Sequence, residues 1–327
     1  MTSSMQSAMT WTSLDTVIER NTSFLLSSHV GIDGDCIGSQ LAMYWYLISL
    51  GKKVVLLNND VLPTKFRFLV NSDKLTTEKP ITKFDVGIIL DCSNPQRLKW
   101  EGLRDLCSFI VNIDHHRDNA MFGDLNFVKK GGAATGQIIF EFFSENKIDY
   151  PSHVAESLYT AIMTDTGAFH FSNTSGDILR ICGDLSDRGA ECSKIYEKVY
   201  AAFSQQGLML QSRIWSSLAF YHNGQICSME MPYSLISELG ATYGDSEGMA
   251  DQTVVGNDIK VGMLIKYNEN ETHFSLRSRG LVDVGKIAQS VVGGGGHSCA
   301  AGCTVTMPYA QAKAFMLDVI EKELESH

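Results

Sequence analysis

The 327-residue sequence lacks any apolar run of the roughly 18 residues that a membrane-spanning helix needs, so we expect no membrane association. Its eight cysteines include no Cys-x-x-Cys pair, which favours reduced, buried thiols over a disulfide framework. The N-terminus lacks a basic start followed by an apolar block, so no signal peptide is predicted. These features predict a cytoplasmic protein.

Positive charge is also scarce, since 27 Lys and Arg face 37 Asp and Glu, a net charge of -10. Such a chain is not expected to coat long duplex nucleic acid nonspecifically. A small phosphorylated substrate stays compatible with this charge, because bound metal ions reverse the local sign. The length suits two domains better than one.

Short apolar runs alternate with helical stretches in the first half of the chain. The runs are continuously apolar, as in strands covered on both faces, and they occupy residues 24–26, 54–57, 86–90 and 109–113. Helices are predicted over residues 39–50, 135–146 and 153–163. This rhythm predicts an α/β fold with a doubly wound, mainly parallel sheet.

The second half changes character after a charged, helical stretch. From residue 218 onward, strands are predicted over 225–231, 261–267 and 272–279, with helices over 284–291 and 310–324. The sequence therefore predicts a smaller α+β domain joined to the first by a helical connector. The predicted boundaries are 1–190, 191–217 and 218–327.

Histidine and aspartate residues follow the predicted strands. His29, Asp33 and Asp35 form an H-x3-D-x-D pattern after the first strand, and Asp91 ends the third strand. Ligands of open α/β sheets collect beyond the carboxyl ends of the strands. Carboxylates mixed with imidazole favour Mn²⁺, Mg²⁺ or Co²⁺, and the absence of cysteine from the set argues against structural zinc. Two such ions can promote in-line phosphoryl displacement.

Asp114, His115 and His116 stand in a row after the fourth strand, and Asp165 closes another apolar run. Each aspartate by itself is as typical of a cap or turn. Two neighbouring imidazoles are rarely core residues, however, and one can bind metal while the other donates a proton or contacts phosphate. The whole set predicts a site for two metal ions.

The chain resembles the DHH phosphoesterase superfamily, named for the motif seen here as Asp114-His115-His116. The stretch from His29 to Ser39, Leu90-Asp91 and residues 164–167 match the other family motifs in order. Residues 275–278 and 293–297 resemble the family's DHH-associated domain. The family usually has proline where this chain has Ile32, which concerns loop rigidity and not metal binding.

The resemblance implies two divalent ions, with Mn²⁺ expected and Mg²⁺ or Co²⁺ as alternatives. One ion would be held by His29, Asp33 and Asp91. The other would be held by Asp35, Asp91, His115 and Asp165, so that Asp91 bridges the two. His116 would face the phosphate and, with Asp91, take part in catalysis.

A glycine-rich stretch near the C-terminus is predicted to bind the substrate. Unshielded backbone N–H groups of consecutive glycines suit an anion, and a guanidinium can hold a phosphate in a bidentate manner. In related proteins this region binds the end of a short nucleotide chain. The predicted substrate-binding residues are Arg277, Ser278, Gly294, Gly295, Gly296 and His297.

The resemblance implies a phosphodiesterase of the nanoRNase/pAp-phosphatase branch. Its expected substrates are short RNA and linear dinucleotides, with 3′-phosphoadenosine 5′-phosphate (pAp) as a further substrate. A RecJ-type exonuclease is usually longer, and a family II pyrophosphatase lacks the glycine-rich second domain. A cyclic dinucleotide phosphodiesterase and a non-catalytic nucleotide sensor stay as alternatives. The oligomeric state is open, with a homodimer as one option.

Overall fold

The computed structural model describes residues 11–280, 282–291, 294–296 and 298–325. The chain forms two compact units, one ending at Ala202 and the other beginning at Phe203. Each unit has its own sheet of six strands. Among the described helices, none is both long and apolar enough to cross a membrane.

The first unit is built around a parallel sheet. Its strand order is β3-β2-β1-β4-β5-β6, and every neighbouring pair runs parallel. The central strands are almost fully buried, which explains their continuous apolarity. The strands are β1 (Ser23–Ser27), β2 (Lys53–Leu57), β3 (Leu75–Thr76), β4 (Phe84–Leu90), β5 (Cys107–Asp114) and β6 (Leu125–Val128).

Helices cover this sheet, and a π-helical turn (Glu197–Ala201) follows the last of them. They are α1 (Thr12–Arg20), α2 (Gly34–Ser49), α3 (Leu103–Leu106), α4 (Thr135–Glu145), α5 (Ser152–Asp165), α6 (Gly176–Asp187) and α7 (Cys192–Tyr196).

Helices α2 and α5 pack at unusually close range. A Cβ atom on Gly34 would clash with the Thr164 side chain, and one on Gly38 would clash with the Ser157 carbonyl oxygen. Glycine therefore lets the two backbones approach. This contact brings the start of α2 next to the end of α5, where several predicted ligands lie.

The second unit has a mixed sheet in the order β11-β12-β10-β9-β8-β7. Only β8 and β9 are parallel among its described pairs. The strands are β7 (Ala219–Tyr221), β8 (Ile226–Pro232), β9 (Val261–Tyr267), β10 (Thr272–Ser278), β11 (Gly295–Gly296) and β12 (Ala300–Val305). The helices are α8 (Gln205–Trp215), α9 (Ser234–Leu239), α10 (Met249–Gln252), α11 (Val284–Gln289) and α12 (Tyr309–Glu325).

The structure confirms the predicted fold class, a parallel α/β domain followed by a smaller α+β domain. The predicted connector, residues 191–217, is helical and contains α7 and α8. Leu210 and Ile214 of α8 pack in one core cluster with Met229 of β8. The exact domain boundaries stay predictions.

Candidate metal centre

His29 and Asp91 leave neighbouring strands at one edge of the first sheet. β1 and β4 run parallel side by side, and the strand order reverses between them. His29 comes two residues after β1, and Asp91 directly follows β4. Asp91 has φ of 52°, a left-handed conformation that is uncommon for aspartate and concentrates at functional sites. Open α/β sheets bind ligands at the point where the strand order reverses, which here lies between β1 and β4.

Asp33 and Asp35 lie at the N-terminus of α2. Asp33 is the N-cap and accepts a hydrogen bond of 2.9 Å from the Cys36 backbone N–H. Asp35 is in the first helical turn and accepts hydrogen bonds from the backbone N–H groups of Thr135 and Gly136, at 2.6 and 2.9 Å. Helix α2 begins at Gly34, earlier than the start predicted at residue 39, so Asp35 lies within the helix.

The three side chains of the Asp114-His115-His116 motif have different positions and hydrogen-bond partners. Asp114 ends β5, is fully buried, and accepts a hydrogen bond of 2.7 Å from His116 Nδ1. His115 Nδ1 lies 2.9 Å from the Gly132 carbonyl oxygen, to which it donates. That bond turns His115 Nε2 toward the carboxylates, which is how metal-binding histidines are commonly oriented. Asp114 therefore orients His116.

Asp165 is the last residue of α5. It lies just beyond the helix predicted over residues 153–163, and the close α2–α5 packing explains how it reaches the other predicted ligands. Asp165 Oδ2 lies 3.2 Å from His115 Nε2. Asn173 donates a hydrogen bond of 3.0 Å to its backbone carbonyl oxygen.

The six predicted ligands come together in two groups that share Asp91. His29 Nε2 lies 3.4 Å from Asp91 Oδ2 and 3.8 Å from Asp33 Oδ2. On the other side, His115 Nε2 lies 3.3 Å from Asp91 Oδ1 and 3.8 Å from Asp35 Oδ2. Each oxygen of the Asp91 carboxylate thus faces a different histidine. These acidic and imidazole groups are positioned to bind metal.

Burial and crowding shift the pKa values of these groups. Burial raises the pKa of Asp165 to about 7, and the charges of Asp91 and Asp33 add to the rise. Burial, together with the charges of Asp91 and Asp165, raises the pKa of Asp35 well above its usual value. Burial alone would lower the pKa of His115, but its hydrogen bond to Asp91 and the surrounding carboxylates raise it to about 11.

The pKa of Asp91 is shifted in the opposite direction, downward. Burial favours its neutral form, but hydrogen bonds from His115 and His29 hold its pKa well below the ordinary value. The cluster therefore holds more carboxylates than cations, and protons partly balance the excess. A divalent cation would displace those protons, so the donor set fits the predicted ions.

Cys36 also lies at this site, although it is not among the residues predicted from the sequence. Its Sγ lies 3.3 Å from Asp91 Oδ2, and it belongs to the donor group of His29, Asp33 and Asp91. Cys36 therefore adjoins the predicted ligand set, which itself contains no cysteine. Burial raises the pKa of the Cys36 thiol well above its usual value, so the neutral thiol donates to Asp91. The adjacency of Cys36 to Asp35 in the motif was the available signal.

Arg277 and Ser278 end strand β10 in the second unit. Arg277 Nε donates a hydrogen bond of 2.5 Å to Asp251, and Nη1 donates to the Leu276 carbonyl oxygen. The Ser278 hydroxyl accepts hydrogen bonds from the backbone N–H groups of Gly280 and Val282, so it shapes the following turn.

The described glycines of the glycine-rich stretch near the C-terminus have defined structural roles. Gly295 and Gly296 form β11 and pair with β12. A Cβ atom on Gly294 would clash with the Ala288 carbonyl oxygen, so glycine is required for this close approach. His297 lies outside the described residues. Anion binding by this segment stays a prediction.

Comparison with protein families assigns a known domain to each half of the chain. Residues 23–162 match the DHH family, N-terminal domain, and residues 224–326 match the DHHA1 domain. The chain belongs to the DHH family. The predicted membership is thereby confirmed, and the match includes every predicted metal ligand except Asp165.

Several known proteins resemble this DHH protein over most of its length. The bifunctional oligoribonuclease and PAP phosphatase NrnA of Thermus thermophilus is 29% identical, covering 91% of this chain and 89% of the relative. The protein of the same name from Bacillus subtilis is 23% identical, covering 86% and 88%. The crystal structure of an exopolyphosphatase-related protein from Bacteroides fragilis has a TM-score of 0.87 at 24% identity, covering 96% and 95%. That structure supports the fold.

Proposed function

We propose that this DHH protein is a metal-dependent phosphodiesterase that hydrolyses short oligoribonucleotides and linear dinucleotides to mononucleotides, with pAp as a further substrate. The observation that carries the proposal is the Asp91 carboxylate, whose two oxygens face His29 of one donor group and His115 of the other. The Thermus and Bacillus relatives are named as bifunctional oligoribonuclease and PAP phosphatase, which supports the short-RNA and pAp parts of the proposal. The sensor alternative predicts a missing ligand, whereas all six predicted ligands are present and converge.

The proposed cofactor is a pair of divalent ions held by the two groups, with Mn²⁺ preferred because imidazole nitrogens join the carboxylates. Bound there, they would supply Lewis acidity and neutralise charge on the phosphoryl oxygens. Asp91 bridges the groups, and His29 and His115 present Nε2 because each Nδ1 bonds a backbone carbonyl oxygen.

His116 has a different task in this proposal. Asp114 holds its Nδ1 at 2.7 Å, so the imidazole keeps one tautomer and one orientation. We propose that His116 contacts the phosphate of the substrate. There it positions the scissile group and donates or accepts a proton at Nε2. Asp114 supports it as a positioning residue.

The substrate class is tested with a panel of nucleotides in the presence of Mn²⁺. The panel contains pAp, linear pApA and pGpG, cyclic di-AMP, cyclic di-GMP, single-stranded RNAs of increasing length and an RNA duplex. We expect the highest kcat/KM for the linear dinucleotides and shortest RNAs, with little cleavage of duplex. Exclusive cleavage of cyclic dinucleotides would replace the proposed substrate class, and binding without cleavage would favour a sensor.

Arg277→Ala is expected to raise KM for pApA about tenfold, because a guanidinium on phosphate is a strong charge-assisted contact. Its ion pair with Asp251 orients the side chain. Cleavage of bis-p-nitrophenyl phosphate, which has no nucleotide end to bind, should change little. The measurement is the ratio of KM values for the two substrates.

Arg279→Ala is the matched control for Arg277. Arg279 lies two positions away and donates to the Val255 carbonyl oxygen. We expect it to leave both KM values unchanged. Equal losses on both substrates in Arg277→Ala would mean that Arg277 supports the fold instead of the substrate.

We also propose that the protein acts in the cytoplasm, where its six buried free thiols would stay reduced. The net charge of -10 supports small nucleotides over long duplexes as partners.

A further inference from the structure

Arg97 lies beside the metal centre and has no part in the donor set. It belongs to a short 3-10 helix (Pro95–Leu98) that follows Asp91, and the Asn94 side chain caps this helix. The Arg97 carbonyl oxygen accepts a hydrogen bond of 2.9 Å from Val30, the residue after His29. The backbone of Arg97 is therefore tied to the loop that carries the first ligand.

The guanidinium of Arg97 points at the histidine assigned to the phosphate. Its Nη1 lies 3.3 Å from His116 Nε2. Because His116 Nδ1 donates to Asp114, Nε2 carries the lone pair in the neutral imidazole, and Arg97 donates to it. Among the residues that the structure describes, no carboxylate forms an ion pair with Arg97.

The position is unfavourable for a cation unless an anion binds there. Arginine is protonated at all working pH values and cannot bind a metal ion. Two bound divalent cations would offset the charges of the four ligand carboxylates, so the donor set would offer Arg97 no net counter-charge. A phosphate oxygen would supply that counter-charge and would match the planar donors of the guanidinium.

We propose that Arg97 binds a non-bridging oxygen of the scissile phosphate, next to His116, and neutralises the charge that develops there during hydrolysis. Without substrate, Arg97 rests against His116 Nε2. This inference rests on the proposed function, since it takes the phosphodiester as the ligand. It makes Arg97 a catalytic residue in addition to the predicted set.

The test compares Arg97→Ala and Arg97→Lys with the wild type in three measurements. These are Mn²⁺ content by elemental analysis, calorimetric affinity of the Mn²⁺-loaded protein for AMP, and kcat and KM for bis-p-nitrophenyl phosphate. We expect unchanged metal content in Arg97→Ala, AMP binding roughly tenfold weaker, and kcat about 100-fold lower. Arg97→Lys should recover part of the loss, because lysine keeps the charge without the planar fork.

Arg104→Ala is the matched control, because Arg104 in the same unit is half-exposed and pairs with Asp124. It should bind metal and AMP as the wild type does. Unchanged AMP affinity in Arg97→Ala, or loss of its metal, would overturn the proposal.

A second comparison separates direct contact from action through His116. In a His116→Ala background, Arg97→Ala should still weaken AMP binding, because the guanidinium contacts phosphate by itself. No further loss in the double variant would mean that Arg97 acts only through His116 and would overturn the proposal. AMP binding does not depend on cleavage of any oligonucleotide. If the wild type fails to cleave short RNA while these AMP results hold, the proposed function falls, and only the contact of Arg97 with a phosphate group stands.

Discussion

Asp91→Asn is expected to lower kcat/KM by roughly 10³-fold, which corresponds to about 4 kcal/mol of activation free energy. The reason is that both oxygens of this carboxylate are used, one facing His29 and the other His115. Asparagine is the suitable replacement because it tolerates the left-handed backbone at φ of 52° better than alanine does. The measurements are steady-state kinetics and bound Mn²⁺ per chain.

The control is Asp85→Asn, in strand β4, which Asp91 directly follows. Asp85 accepts hydrogen bonds from the backbone of Thr22 and Ser23, and these lower its pKa to about 2. We expect this variant to lose some stability and to keep its metal and activity. An Asp91 variant that retains two tightly bound ions, or one that loses no more activity than Asp33→Asn, would contradict the bridging role of Asp91.

Metal removal is expected to have the other large effect. Exhaustive chelation should abolish hydrolysis, and added Mn²⁺ should restore it to a higher rate than Mg²⁺, which sheds its water reluctantly. Binding should also stabilise the fold, by about 2.7 kcal/mol when free Mn²⁺ is 100 times its Kd. The measurements are activity and Tm before and after chelation. Full activity after chelation would end the two-metal hypothesis.

The stabilisation by Mn²⁺ is expected to grow with pH. In the metal-free protein the pKa of Asp165 is raised to about 7, so its contribution to stability is complete below its unfolded pKa and is lost as pH rises through 7. His115, with a pKa of about 11, behaves likewise at higher pH. Metal binding takes the deprotonated forms, so the rise in Tm should be larger at pH 8 than at pH 6. An equal rise at both would contradict these shifts.

Much of the first unit could be predicted because its strands are buried on both faces. Continuous apolarity predicted β1, β2, β4 and β5 to within a few residues of their observed ends. The half-buried edge strand β3 has only two residues and produces no such pattern. Local patterning thus finds strands that are buried and misses those that are short.

The proximity of His29 and Asp91 could be predicted because they follow neighbouring parallel strands at the same end of the sheet. The roles of the surrounding residues could not, because they depend on contacts distant in sequence. Asp35 is held by Thr135, a hundred residues away, and the hydrogen bond that Arg97 donates to His116 joins a 3-10 helix to the segment after β5. Residue type alone carries no signal for such contacts.

In the proposed site one carboxylate, Asp91, holds two metal ions together. Anomalous diffraction at the manganese edge, from crystals grown with Mn²⁺, would locate each ion. We expect two anomalous peaks about 3.5–4 Å apart, one beside His29 and one beside His115, each within bonding distance of a different Asp91 oxygen. A single peak, or two peaks of which only one contacts Asp91, would contradict it.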